Sequence, residues 1–191
     1  MTAQNLETLK PEAAKNGIGL GLIALVLGVI SAYLLVSTTS MMGIFLIPIA
    51  IGVIVPIVVA VFFCLDLRKK IGGFWNLRQA TSGIFIMFLV AYILSTAGNL
   101  VFTKLIEPDM PSKIQSTVID ATSSMMKNQG MEQEAIDKKI DEMNADFEKK
   151  TQGTVMQTIQ GHVIGVIIVF VFALLFGAIF KKERPLSLTE D

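Results

Sequence analysis

Charge is what this sequence lacks over long stretches. Residues 16–65 hold no Asp, Glu, Lys or Arg, and neither do 79–103 or 151–180. A hydrocarbon slab about 30 Å thick is crossed by roughly 20 apolar residues of helix. Each shorter run therefore crosses once, and the first is long enough to cross twice, turning back near Ser37-Thr38-Thr39-Ser40. Proton relays, voltage sensors and ion-coupled carriers depend on charges inside the membrane, where they are costly and kept for function. Span cores without charge speak against those classes and leave uncharged channels open.

Histidine and cysteine are almost missing as well, with one of each. The lone Cys64 excludes an intramolecular disulfide and a cysteine metal cluster, and is read as a small apolar packing residue at the end of span two. There is no G-x-S-x-G, no H-E-x-x-H, no phosphate-cradling glycine loop and no His/Cys ligand cluster. The sequence thus predicts no enzyme, no catalytic residue, no cofactor and no metal. Ten methionines form no repeated M-x-x-M array beside histidines and read as adaptable filler. No basic face interleaved with aromatics is present, so nucleic acid is not an expected partner.

What remains is apolar and segregated. Of the residues, 52% are hydrophobic, and 16 basic side chains balance 16 acidic ones. The expected fold is all-α: a four-helix transmembrane bundle with spans near 17–37, 43–65, 79–103 and 158–180. The stretch 17–36 follows Lys10 and Lys15 as a secretory signal would, but it exceeds the usual apolar region of about 7–15 residues and lacks a cleavage site. It reads as an uncleaved first span. Lys and Arg near span ends set orientation. Lys10 and Lys15 precede span one, Arg68, Lys69, Lys70 and Arg78 lie between spans two and three, and Lys181, Lys182 and Arg184 follow span four. The turn at 37–42 has none. Segments 1–16, 66–78 and 181–191 are therefore expected in the cytoplasm, and 104–157 outside it.

That outer segment carries more acids than lysines and has helical patterning. Pro108 and Pro111 end one helix and set the first turn of the next. Ile114, Val118, Ala121 and Met125 recur on one stripe, Asn128-Gln129-Gly130 is a stop signal, and Ile136, Ile140, Met143 and Phe147 repeat the spacing. The pattern predicts a helical hairpin that hides its two stripes against each other or against the membrane surface.

A few uncharged polar groups stand out near the outer span ends. Thr96, Asn99 and Thr103 share a face of span three, and Gln160 and His162 open span four. They line a small outward-facing polar pocket on one reading. On the other they hydrogen-bond across helix interfaces, each bond worth about 0.6–2 kcal/mol. His162 could further respond to outside pH. Gly17 and Gly21, continued by Ala24 and Gly28, and Gly161 and Gly165, continued by Ala173 and Gly177, make faces that let helix backbones approach, within one bundle or between two copies. Gly52 and Pro56, with Pro48, predict a kink in span two, as a hinge or as static packing.

The loop Arg68-Lys69-Lys70-Ile71-Gly72-Gly73-Phe74-Trp75, followed by Gln79-Ala80 and Gly83, resembles the signature of a bacterial family called domain of unknown function 4199. Ile106-Glu107-Pro108, Gly130-Met131 with the acidic helix after it, and the closing Lys181-Lys182 extend the resemblance over nearly the whole chain. It implies a small four-span protein of the bacterial inner membrane and brings no activity or site residues. In physical terms, Gly72-Gly73 permits a tight turn with positive φ, which would let Phe74 and Trp75 dip into the membrane interface. Arg68, Lys69, Lys70, Trp75 and Arg78 are then a lipid-interface anchor, each cation holding anionic headgroups with about 1 kcal/mol. The functional expectation is a non-enzymatic membrane protein whose outer hairpin presents an interaction surface; the alternative is a pore or solute-conducting oligomer. Its expected partners are the lipid bilayer and an envelope protein or a second copy of the chain.

Overall fold

Seven α-helices follow from these patterns in the computed structural model, which describes residues 4–151 and 154–183. They are α1 (Gln4–Ser37), α2 (Met41–Ile49), α3 (Val55–Lys70), α4 (Leu77–Val101), α5 (Met110–Asn128), α6 (Gln133–Thr151) and α7 (Val155–Phe180). Four stretches are long and apolar enough to cross a membrane: Thr8–Ser37, Met41–Lys70, Leu77–Ile106 and Val155–Phe180. The fold is all-α, with a helical pair between the third and fourth of these stretches. Residues 152–153, where the chain is expected to pass from the outer segment into span four, and the cation Arg184 lie outside the described residues.

Local chemistry explains where the helices start and stop. Ser40 Oγ accepts from the Gly43 amide at 3.1 Å and caps α2. Asn76 and Gln79 bond reciprocally, side chain to backbone, at 2.9 and 3.1 Å and open α4, and Thr154 and Gln157 do the same for α7. Gly130 takes φ +74° just past α5, closing the stop that the sequence signals. Gly72 and Gly73 take φ +98° and +83°, as the predicted tight turn requires.

Where the sequence predicts a kink, the helical winding changes. Pro56 has no N–H to give to the carbonyl four residues back, and residues Ala50–Ile54 wind as a π-helical turn between α2 and α3. A second π turn, Phe102–Ile106, ends the third stretch, where the Glu107 amide donates to Phe102 O at 2.8 Å.

The chain divides into two compact units, 1–26 with 55–98 and 163–191, and 27–54 with 99–162. The first unit holds segments of α1, α3, α4 and α7 and the main apolar core, including Leu20, Leu67, Trp75, Ile84, Met87 and Phe176. Its helices meet at small residues. A Cβ at Gly17 would lie 2.6 Å from Met87 O, and one at Gly21 3.0 Å from the Ala91 Cα, so α1 and α4 touch almost backbone to backbone. Gly177 of α7 is equally close to Thr81 of α4. Phe85 meets Phe170, and Phe88 meets Phe176, edge to face. The core begins well before Gly17, since Leu9 and Ala13 are already buried in it. Cys64 is buried in the same core, as read from the sequence.

The second unit is held differently. There α5 packs against both α6 and α2. Met110, Ala121, Thr122 and Met126 are buried on α5, a broader face than one stripe because it serves two neighbours. On α6 the predicted stripe is the covered one: Ile136 is 1% exposed, and Ile140, Met143 and Phe147 are half-buried. Gln115 Nε2 donates to Asn144 Oδ1 across the pair at 3.0 Å.

Candidate functional site

In the second unit the ends of several helices leave a cavity of 510 Å³. Ala32 of α1, Asn99 of α4, Phe102 and Thr103 of the π turn, the first residues of α5 and Phe147 and Glu148 of α6 line it. The size falls within the roughly 300–1,000 Å³ of small-molecule sites, and the lining follows their usual composition, apolar walls with a few polar groups. The walls are built by Ala32, Phe102, Met110, Pro111, Ile114 and Phe147; Asn99, Thr103, Ser112, Gln115 and Glu148 supply the polar groups.

Two of those polar groups are already engaged. Thr103 Oγ1 donates to Asn99 O one helical turn back at 2.9 Å, and Gln115 is bonded to Asn144. Among the described residues, the Asn99 amide, the Ser112 hydroxyl and the Glu148 carboxylate have no side-chain partner. Glu148 is the one charged side chain among the described residues of the lining, which therefore carry negative charge.

A short chain of contacts braces the residues beside the cavity. The Tyr33 hydroxyl donates to Glu107 Oε1 at 3.0 Å, and Lys113 Nζ donates to Glu107 Oε2 at 3.2 Å. The Tyr33 ring stands edge-on to Phe102 with centroids 6.0 Å apart. One carboxylate thus joins the end of α1 to the first turn of α5. The Tyr33 hydrogen bond, then that of Lys113 and its charge, hold the Glu107 carboxyl below its ordinary range.

Of the polar residues singled out in the sequence, the fold brings Asn99 and Thr103 together at this cavity. Thr96 lies half-buried in the first unit, and Gln160 and His162 are exposed on the opening turns of α7 and do not line the cavity. The Tyr33–Glu107–Lys113 contact was not anticipated. Its one signal in the sequence is a carboxylate at a span end, in Ile106-Glu107-Pro108.

The predicted lipid anchor is corrected at two positions. Trp75 is 1% exposed, not dipped into lipid: its indole N–H donates to Phe180 O at 2.7 Å. Its backbone forms an antiparallel bridge with Lys182. An indole with a partner for its N–H is as well placed in a core as at an interface, and here it ties the end of α7 to the 71–76 turn. Lys70 is committed to protein carboxylates, 2.7 Å from Asp66 and 3.6 Å from Glu12. Asn16, 4% exposed, completes that cluster: its amide donates to Asp66 and to Phe63 O and accepts from Lys70. Lys69 and Arg78 remain exposed, Arg68 is half-buried, and Lys182 lies 5.2 Å from the Phe74 ring centroid.

Among the described residues no group of His, Cys, Asp and Glu is arranged to hold a metal ion. A family model described as a protein of unknown function (DUF4199) matches residues 15–182. No curated protein and no solved structure matches the chain.

Proposed function

Because the chain belongs to the DUF4199 family, whose description names no activity, we propose from its own residues that it is a non-catalytic, multi-pass protein of a bacterial inner membrane with a binding site in its second unit. The observation that carries this reading is the cavity, where apolar walls meet polar groups of α4, α5 and α6 that have no side-chain partner among the described residues. In this proposal both termini and the 66–78 loop are cytoplasmic, as the Lys and Arg bias supports, and α5 and α6 work on the opposite side. The exposed face of α6 is then free to meet an envelope protein, and Lys69 and Arg78 are the cations left to meet anionic lipid.

Cysteine labelling tests the arrangement. Cys64 is buried and should stay unreactive in the folded protein. With a membrane-impermeant maleimide, Lys138→Cys should label in intact spheroplasts, whereas Arg78→Cys should label only after permeabilisation. The reverse pattern would overturn the orientation. Crosslinking from Asp141→Cys then asks what α6 meets. An envelope protein whose capture is lost in a variant with its α5–α6 pair opened supports the binding reading. Self-crosslinks alone, together with solute flux in liposomes, would replace it with a conducting oligomer.

A further inference from the structure

We propose that the ligand of this cavity is a small single-chain amphiphile with a cationic amine head, its hydrocarbon body against Phe102, Met110, Ile114 and Phe147 and its ammonium group paired with Glu148. The inference rests on the reading of the cavity as a binding site and adds the chemical class of what binds there.

Three features select that class. The apolar walls would be left facing water by a sugar, an inorganic ion or another fully polar solute, so the ligand needs a hydrocarbon part. Among the described residues the charge in the lining is a single carboxylate without a Lys, Arg or His, and the nearby Lys113 is already engaged by Glu107. An anionic head would meet like charge and no cation, whereas an ammonium gains a partner. The Asn99 amide oxygen and the Ser112 hydroxyl, without a side-chain partner among the described residues, can accept further hydrogen bonds from the ammonium protons. Size excludes a helix as occupant, because a helix with its side chains is about 10–12 Å across. Position agrees as well: Asn99 and Thr103 belong to the last turns of a membrane-crossing stretch, while Glu148 belongs to polar α6. A molecule with one apolar and one charged end fits that change of surroundings.

Photolabelling of the full chain in neutral maltoside micelles tests the proposal. The probes are two diazirine-bearing alkyl chains, one ending in ammonium and one in carboxylate. The ammonium probe should label peptides containing residues 99–115 and 147–148, saturably. Glu148→Gln preserves shape and removes the charge, and should weaken that labelling about fivefold, the effect of one partly exposed ion pair. The carboxylate probe should label these peptides weakly and gain from the same substitution. If both probes label them equally and Glu148→Gln changes neither, the amine class is wrong while the binding-site reading survives. If neither probe labels the cavity above the micelle background, the binding-site reading itself falls. Competition identifies the source of the amine: displacement by lyso-phosphatidylethanolamine and not by lyso-phosphatidylglycerol assigns a membrane lipid head. Displacement only by a free alkylamine assigns a soluble amphiphile, and displacement by all three alike overturns the class.

Discussion

The two units bury their helices by different means. In the first, α1 meets α4 and α4 meets α7 at glycines that leave no room for a Cβ, and Trp75 fills the space beside the end of α7. In the second, the apolar faces of α5 and α6 are supplemented by polar pairs, Tyr33 with Glu107 and Gln115 with Asn144, and a 510 Å³ cavity remains. Close backbone approach supplies dispersion contacts over a whole helix face, and in lipid it substitutes for the missing hydrophobic drive. Polar pairs near water contribute less and leave space. The comparison teaches where to look for activity: the open unit sets polar groups that have no side-chain partner among the described residues around a void. Segments that bind and move are drawn from the less stable parts of a protein.

The largest effects should come from breaking the closed unit. Trp75→Ala empties a fully buried site and removes the bond to Phe180 O, and should cost about 3–5 kcal/mol. Gly17→Leu forces α1 away from Met87 and Val90 and should lower Tm in detergent by a comparable amount. Gly28 and Gly161 meet nothing within 4 Å, so leucine there should leave Tm unchanged. If Gly28→Leu were as damaging as Gly17→Leu, backbone approach would not be what distinguishes the units.

Next comes Ile136→Asp, aimed at the second unit. Ile136 is the most buried residue of α6, and a carboxylate there should cost about 2–3 kcal/mol. The damage should stay local, with limited proteolysis cutting faster within 110–151 while the membrane-crossing stretches remain protected. Unchanged proteolysis would mean that α5 and α6 do not depend on their apolar stripe. Asn16→Leu should rank third, at about 1 kcal/mol, because it removes the hydrogen bonds that a buried amide makes to Asp66 and Lys70, whose own side chains are 47% and 40% exposed and turn to water instead. Asp66→Asn in the Asn16→Leu background should then add little, and a full additive loss would show that the cluster is not one network.

These residues also show how far the sequence could be read. The uncharged runs, the stripes on α5 and α6, the stop at Gly130 and the interruption near Pro56 were legible because each is a pattern within one segment. So were Asn99 and Thr103 as a polar pair, one turn apart on a helix. Trp75 was not, because an aromatic beside a basic loop has the same local appearance whether it faces lipid or a core; what decides is Phe180, 105 positions away. The polar cluster at Lys70 was only half legible for the same reason, its partner Asp66 being visible at i−4 but Asn16 lying 54 positions off. The cavity has no segment of its own: it exists because four separate stretches of chain, at Ala32, 99–103, 110–115 and 147–148, come near one another.

The smallest effect concerns the contact that braces the open unit, and pH reads it. Glu107 keeps its carboxylate below the ordinary range, first through the Tyr33 hydrogen bond and then through Lys113. A carboxyl with a lowered folded value contributes stability that is fully present above its unfolded value, about 4.3, and lost as pH falls through the folded one. At neutral pH the contact is therefore in place, and acidification below that point should loosen the segment that follows Glu107. Other carboxylates titrate over the same range, so the informative quantity is a difference between two proteins. Tyr33→Phe removes the largest cause and leaves Lys113, so the variant's folded value should lie closer to the unfolded one. Hydrogen exchange across 107–128 should accelerate less on going from neutral pH to pH below about 4 in Tyr33→Phe than in the parent, once intrinsic exchange is corrected for. The exposed position of the contact keeps the gap small. If the two proteins respond to acid identically, Glu107 does not couple α1 to α5, and the second unit would rest on its apolar stripes and the Gln115–Asn144 pair.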